Sequence, residues 1–255
     1  MHSTSELDSL CVVLVAPRNP LNIGAAARAM SNFGASTLRL VQPYDVAFRD
    51  ARSAVGAEDV LATAEVFTTL AEAVADCSLV VGTTAAGSRR DPQHLLRPLR
   101  EAALLIGSAL RSATRTALLF GSEKRGLANE DLSHCHWLLH IPTRARQPSM
   151  NLGQAVAVCL YELARVSPAP VFSAETAAAG QSQAAELASS AELERLTGVL
   201  LECLAASGYT LPDQALITEE NVRRLVRRLA VERQDAERML GMLRQILWKL
   251  RNDGG

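Results

Sequence analysis

The feature that most restricts the fold is a series of short apolar runs, each ending in a polar loop. LCVVLVA at 10–16, SLVVGTT at 78–84 and TALLF at 116–120 are unbroken, and STLRLV at 36–41 and HWLLHI at 136–141 read as two further strands. Continuous hydrophobicity in a run this short marks a strand buried on both faces. Segments of helical character lie between the strands. One is capped by Asn22 and stopped by Gly34, and others cover about 69–76, 97–111 and Asn151 to about Arg165. This alternation predicts an α/β domain with a mostly parallel sheet. Such sheets bind ligands beyond the carboxyl ends of their strands. The loops at 17–22, 83–90, 121–127 and 142–150 all follow strands, so they are able to converge on one site.

The remainder of the chain changes character. Residues 167–191 are dominated by Ala, Ser, Pro and Gln and read as a linker. Residues 192–255 read as a separate helical unit. Its helices are expected at about 192–207, closed by Gly208, at 219–230, capped by Thr218, and at about 234–250. Three short helices bury too little surface to be strongly stable alone. The expected division is a domain over 1–166, a linker over 167–191 and a helical extension over 192–255.

Composition removes several classes. Hydrophobic residues make up 48% of the 255, too many for a disordered chain. The 26 basic and 27 acidic residues leave a net charge of −1, which argues against a nucleic-acid binder that is basic all over but not against a local basic groove. No uncharged apolar run reaches the ~18 residues of a membrane span. The first ten residues lack a secretory pattern, and the five cysteines are widely spaced without a CxxC. A cytoplasmic protein without a membrane anchor is expected. His134-Cys135-His136 is the one dense His/Cys group, and its consecutive spacing does not suit a metal, so no metal site is expected.

Three polar turns carry the chemistry. Asn22-Ile-Gly24-Ala-Ala-Ala-Arg28 opens the first helix. Gly121-Ser122-Glu123-Lys124-Arg125-Gly126-Leu127 follows a strand. Pro148-Ser149-Met150-Asn151-Leu152-Gly153 enters the most apolar helix. Taken singly, each also reads as capping or as an ordinary strand-end turn. The turn at 121–127 lacks the GxxxxGK[ST] spacing of a P-loop, and no GxGxxG follows the first strand, which weakens a Rossmann nucleotide reading.

Taken together and in this order, the turns resemble the SpoU/TrmH branch of the SPOUT RNA methyltransferases, whose motifs are N-x-G-x-x-x-R, G-x-E-x-x-G-(L/I/V) and S-x-N-(L/V). VVGTTA at 80–85 and LANEDLSHCHWLLHIP extend the similarity over about 10–165, most closely to the TrmJ subgroup. The helical extension is similar to that of the same subgroup. The resemblance implies a trefoil-knotted α/β domain, a homodimer, S-adenosylmethionine as cofactor, and methylation of a ribose 2′-hydroxyl in tRNA, at nucleotide 32 of the anticodon loop. It further implies that Thr83, Thr84, Ala85, Gly121, Ile141, Pro148, Ser149 and Met150 hold the cofactor. Asn22, Arg28, Glu123, Ser149 and Asn151 would form the catalytic group, in which the resemblance makes Arg28 the activator of the 2′-hydroxyl. Because a guanidinium stays protonated in proteins, the chemistry favours Arg28 instead as a phosphate clamp that stabilises the developing alkoxide. Alternatives are an rRNA methyltransferase of the same family, a non-catalytic RNA-binding module, and a regulatory module with a helical oligomerisation tail.

Arginines supply nearly all the positive charge, because Lys124 and Lys249 are the only lysines. Arg89, Arg90, Arg144 and Arg146 lie in the cofactor-side loops, where they suit either phosphate contacts or plain solvation. Arg223, Arg224, Arg227 and Arg228 share one helix face. That face reads either as an RNA contact or as a set of i,i+4 ion pairs with Glu219, Glu220 and Glu232. On the RNA reading, deleting 192–255 should weaken tRNA binding more than cofactor binding.

Overall fold

The computed structural model describes residues 7–44, 55–85, 94–166, 186–210 and 214–252. The strands are β1 (Leu10–Val15), β2 (Thr37–Val41), β3 (Glu65–Phe67), β4 (Leu79–Thr84), β5 (Leu96–Pro98), β6 (Thr116–Phe120) and β7 (Trp137–His140). They form one sheet in the order β3-β2-β1-β6-β4-β7-β5, with every pairing parallel. The expected α/β class is therefore correct. All five expected strands are present within two residues of their predicted ends. β3 and β5 were missed because three-residue strands at the two sheet edges carry no readable period.

The central strands are apolar on both sides because both sides are covered. Leu10, Val12 and Leu14 of β1 face α1 (Pro20–Phe33), α4 (Leu99–Arg111) and α6 (Leu152–Val166). Cys11, Val13 and Val15 face the opposite layer, with α3 (Leu70–Ala73) and α5 (Asn129–Ser133). α2 (Glu58–Ala62) joins the first layer.

The strand order places the ligand-binding edge. β1, β6, β4 and β7 are consecutive neighbours, although they are separated by 60 residues or more of chain in places. Their carboxyl ends carry the four loops singled out above. The chain runs outward from β1 through β2 to β3, then returns past the position that β6 fills. This is a topological switch of the kind at which α/β sheets hold ligands.

The first helix starts earlier than predicted. Its cap is Asn19, whose Oδ1 accepts from the Leu21 amide at 3.0 Å, and Pro20 occupies the first turn. Proline suits that position, since its missing N–H would have no intrahelical partner there. Asn22 thus sits inside the helix with its side chain free of the capping role.

The helical extension also departs from expectation. α7 (Ser190–Ala206) begins two residues early, capped by Ser189 and Glu192 in a reciprocal box. α8 (Ala215–Arg228) includes Thr218 rather than starting from it, and α9 is Arg233–Asn252. Residues 186–191 of the expected linker are structured. Ala188 N–H donates to the Val231 carbonyl, Ser190 N–H to Cys77 and Ala191 N–H to Ala75. The rest of the linker, 167–185, lies outside the described residues. The extension has a small core built on Leu193, Leu196, Val226 and Ala236. It is also docked on the sheet domain, which the reading as a separate unit did not anticipate. No helix among the described residues is long and apolar enough to cross a membrane.

Candidate active site

A cavity of about 300 Å³ opens at the carboxyl ends of β4, β6 and β7. All eight residues expected at the cofactor line it. Thr83, Thr84 and Ala85 come from the end of β4, Gly121 from the loop after β6, and Ile141, Pro148, Ser149 and Met150 from the segment after β7. Thr83 also ties the sheet together, because its hydroxyl donates to the Leu119 carbonyl at 2.8 Å. The 142–150 loop is braced by Thr143 Oγ1 donating to the Pro148 carbonyl and Gln147 N–H donating to Arg144.

Gly121 allows the loop after β6 to fold back on itself. A Cβ there would lie 2.0 Å from the Gly126 carbonyl carbon and 2.1 Å from the Leu127 nitrogen. Both are backbone atoms, so no side chain fits without opening the turn. The Gly126 amide closes it by donating to the Ser122 carbonyl at 2.8 Å.

Glu123 projects from this turn to the start of α1. Its carboxylate accepts from the Arg18 amide at 3.1 Å, the Asn19 amide at 3.3 Å and Asn22 Nδ2 at 2.8 Å. Burial raises its carboxyl, but these hydrogen bonds outweigh that and hold it below the usual carboxylate range. Asn22 Oδ1 in turn accepts from Asn151 Nδ2 at 2.9 Å. Asn151 Oδ1 accepts from the Gly153 and Gln154 amides and so caps α6. The relay has one direction. A carboxylate only accepts, and helix N-terminal amides only donate, so both asparagine amides are oriented from the two ends.

The approach of α1 and α6 depends on Gly153. A Cβ on it would stand 2.7 Å from the Cβ of Ala25. Gly153, named in the third turn without a role, and Asn19, not singled out in the sequence, are the positions whose part in the site only the structure shows. Pro20 directly after an asparagine was the available sign of the earlier helix start.

Glu123 and Ser149 line the cavity, and Asn22 and Asn151 are bonded to its rim. Arg28 does not line it. Its side chain is exposed on α1 and has no hydrogen-bond or ion-pair partner among the described residues. The structure therefore joins four of the five expected catalytic residues and leaves Arg28 apart within one chain. Arg144 and Arg146 are exposed in the β7 loop, and Arg89 and Arg90 lie outside the described residues.

The arginine-rich face of α8 is turned inward. Arg223, Arg224 and Arg227 are buried and paired, to Glu194 and Glu219, to Glu220, and to Glu194 respectively. Three of the four arginines are thus not an open RNA contact, because their charges are already compensated inside the protein. His134 Nδ1 lies 3.4 Å from Glu194, and His136 Nδ1 accepts from the Val80 amide at 3.0 Å.

Residues 9–161 match the model of the SpoU rRNA Methylase family. The chain belongs to this family. Among SpoU methylases it is similar to the tRNA (cytidine/uridine/adenosine-2′-O-)-methyltransferase TrmJ of Pseudomonas aeruginosa, with 38% identity over 93% of each chain. It is 36% identical to the tRNA (cytidine/uridine-2′-O-)-methyltransferase TrmJ of Cronobacter sakazakii, over 94% of this chain and 96% of that one. The crystal structure of TrmJ from Z. mobilis ZM4 superposes with a TM-score of 0.78 at 30% identity, covering 92% of this chain and 98% of the other. The similarity to these SpoU methylases includes the helical extension as well as the sheet domain.

Proposed function

We propose that this protein transfers a methyl group from S-adenosylmethionine to a ribose 2′-hydroxyl of tRNA, at nucleotide 32 of the anticodon loop, as a cytoplasmic homodimer with a trefoil-knotted catalytic domain. The observation that carries this reading is the oriented Glu123–Asn22–Asn151 relay at the rim of a cavity lined by all eight residues expected at the cofactor. The tRNA substrate is supported by the TrmJ relatives, which match the chain almost end to end.

The cavity suits a nucleoside cofactor. Gly121 lets the turn after β6 fold tightly at the cavity wall, and Ile141 offers an apolar side chain for a flat ring. S-adenosylmethionine supplies an already activated methyl, so the protein's task is positioning and proton disposal. The Asn22–Asn151 pair orients the ribose. Arg28 holds the adjacent phosphate and stabilises charge developing on the 2′-oxygen. A guanidinium stays protonated in proteins, so Arg28 is not the base, and the proton leaves to phosphate or water. Arg28 lies outside the cavity of its own chain, and a second copy of the protein is the route by which an exposed α1 arginine reaches a cavity it does not line.

The test is to incubate the protein with tritiated S-adenosylmethionine and separate tRNA and rRNA pools. Label should enter tRNA and disappear when nucleotide 32 carries a 2′-deoxyribose. Label confined to rRNA would replace tRNA as the substrate. No transfer, together with no calorimetric binding of the cofactor, would remove the enzymatic reading.

A further inference from the structure

The wall of the cavity is held from within the sheet domain, where Leu132 packs in the core and its carbonyl lies 2.8 Å from His94 Nε2, and also from outside it. Leu132 lines the cavity from α5. The next residue, Ser133, is fully buried, and its hydroxyl accepts from Arg223 Nη1 of α8 at 3.2 Å. Arg224 Nη2 donates to the Asn129 carbonyl at the start of the same helix. His134, at its end, lies against Glu194 of α7. α5 is five residues long, and a single helical turn does not sustain itself in water. Its position is therefore set by what grips it.

The grip is stiff. Arg223 is held by Glu194 at 3.2 Å and Glu219 at 2.6 Å, and Arg227 is clamped on Glu194 at 2.7 Å with its side chain fully buried. Buried pairs of this kind resist displacement, since breaking one strands an uncompensated charge. A second anchor lies at the base of β4. There the amides of Ser190 and Ala191 donate to the carbonyls of Cys77 and Ala75.

We propose that Arg223 and Arg224 of the helical extension are positioning residues for the cofactor cavity, acting through α5. The inference rests on the methyl-transfer reading above. It reverses the expectation that losing the extension would weaken tRNA binding more than cofactor binding. α5 continues directly from the turn that carries Gly121 and Glu123, so loosening its far end relaxes the wall on which the cofactor packs.

The experiment uses the full-length chain and steady-state kinetics with S-adenosylmethionine and tRNA varied separately, alongside calorimetry and thermal melting. Ser133→Ala removes the acceptor for Arg223 and the donor to the Glu130 carbonyl without stranding a carboxylate. It should raise KM and Kd for S-adenosylmethionine about threefold to tenfold with the tRNA KM and the kcat at saturation unchanged, and lower the melting temperature, because a buried guanidinium N–H loses its acceptor. Arg223→Ala should show the same split with a larger fall in melting temperature, since it also removes the pairs to Glu194 and Glu219. Arg251→Ala, which breaks only the exposed pair with Glu202, should leave every constant unchanged. Cofactor constants within twofold of wild type in both Ser133→Ala and Arg223→Ala would overturn the inference while leaving the methyl-transfer reading intact. No cofactor binding by the wild type would remove both.

Discussion

Asn22 Nδ2 donates to Glu123 Oε1 at 2.8 Å, joining residues 101 positions apart in the chain. Through this contact the turn after β6 and the start of α1 hold each other, and Asn151 extends the link to α6.

Asn22→Asp replaces the donor with a second carboxylate facing Glu123. The Asn151 amide still has an acceptor, but the contact with Glu123 becomes repulsive. The variant should lose about 1–3 kcal/mol of stability at pH 7, measured by urea unfolding, and recover part of it as the pH falls and one carboxyl protonates. Methyl transfer should drop far more than cofactor affinity.

Gly153→Ala should push α1 and α6 apart, since the added carbon would meet Ala25 at 2.7 Å. A cost of about 1–3 kcal/mol is expected for overpacking at such a contact. Adding Ala25→Gly vacates that space. The double variant should then recover stability relative to Gly153→Ala, less the roughly 1 kcal/mol penalty of glycine inside a helix. Additive losses in the double-mutant cycle would show that the contact is not what matters.

The buried His136 and the half-buried Glu194 separate by pH. Burial and the nearby Arg227 guanidinium push the His136 imidazole down to about 3. Its folded value is below its unfolded value of about 6.5, so its contribution is complete above that pH and declines as pH falls toward 3. Burial raises the Glu194 carboxyl, but His134, Arg227 and Arg223 more than offset this and hold it at about 2. Its contribution is complete above about 4.3 and is lost as pH falls toward 2. Melting curves should therefore show His136→Gln flattening the pH slope between roughly 6.5 and 3. Glu194→Gln should flatten it only below about pH 4.5.

Arg28→Ala should leave the melting temperature and cofactor Kd unchanged, because the side chain is exposed and has no partner among the described residues. Methyl transfer to tRNA should fall by about two orders of magnitude or more. Near-normal turnover would exclude Arg28 from the reaction.

What the sequence determined by itself is the local physics. Short β-branched apolar runs such as LCVVLV mark strands covered on both sides, and the three polar turns carry their residue types at fixed spacings within short stretches. Both are short-range properties, so they could be read without knowing the neighbours. The order β1-β6-β4-β7, which brings four separated loops to one edge, was decided by tertiary structure. So was the fate of Arg223 and Arg227. On a helix wheel they form a basic face, and only the docking of α8 against α7 and α5 shows that this face is buried against Glu194. Burial and pairing across long stretches of chain depend on which surfaces meet, and helical periodicity alone cannot tell a face turned to water from one turned to a carboxylate.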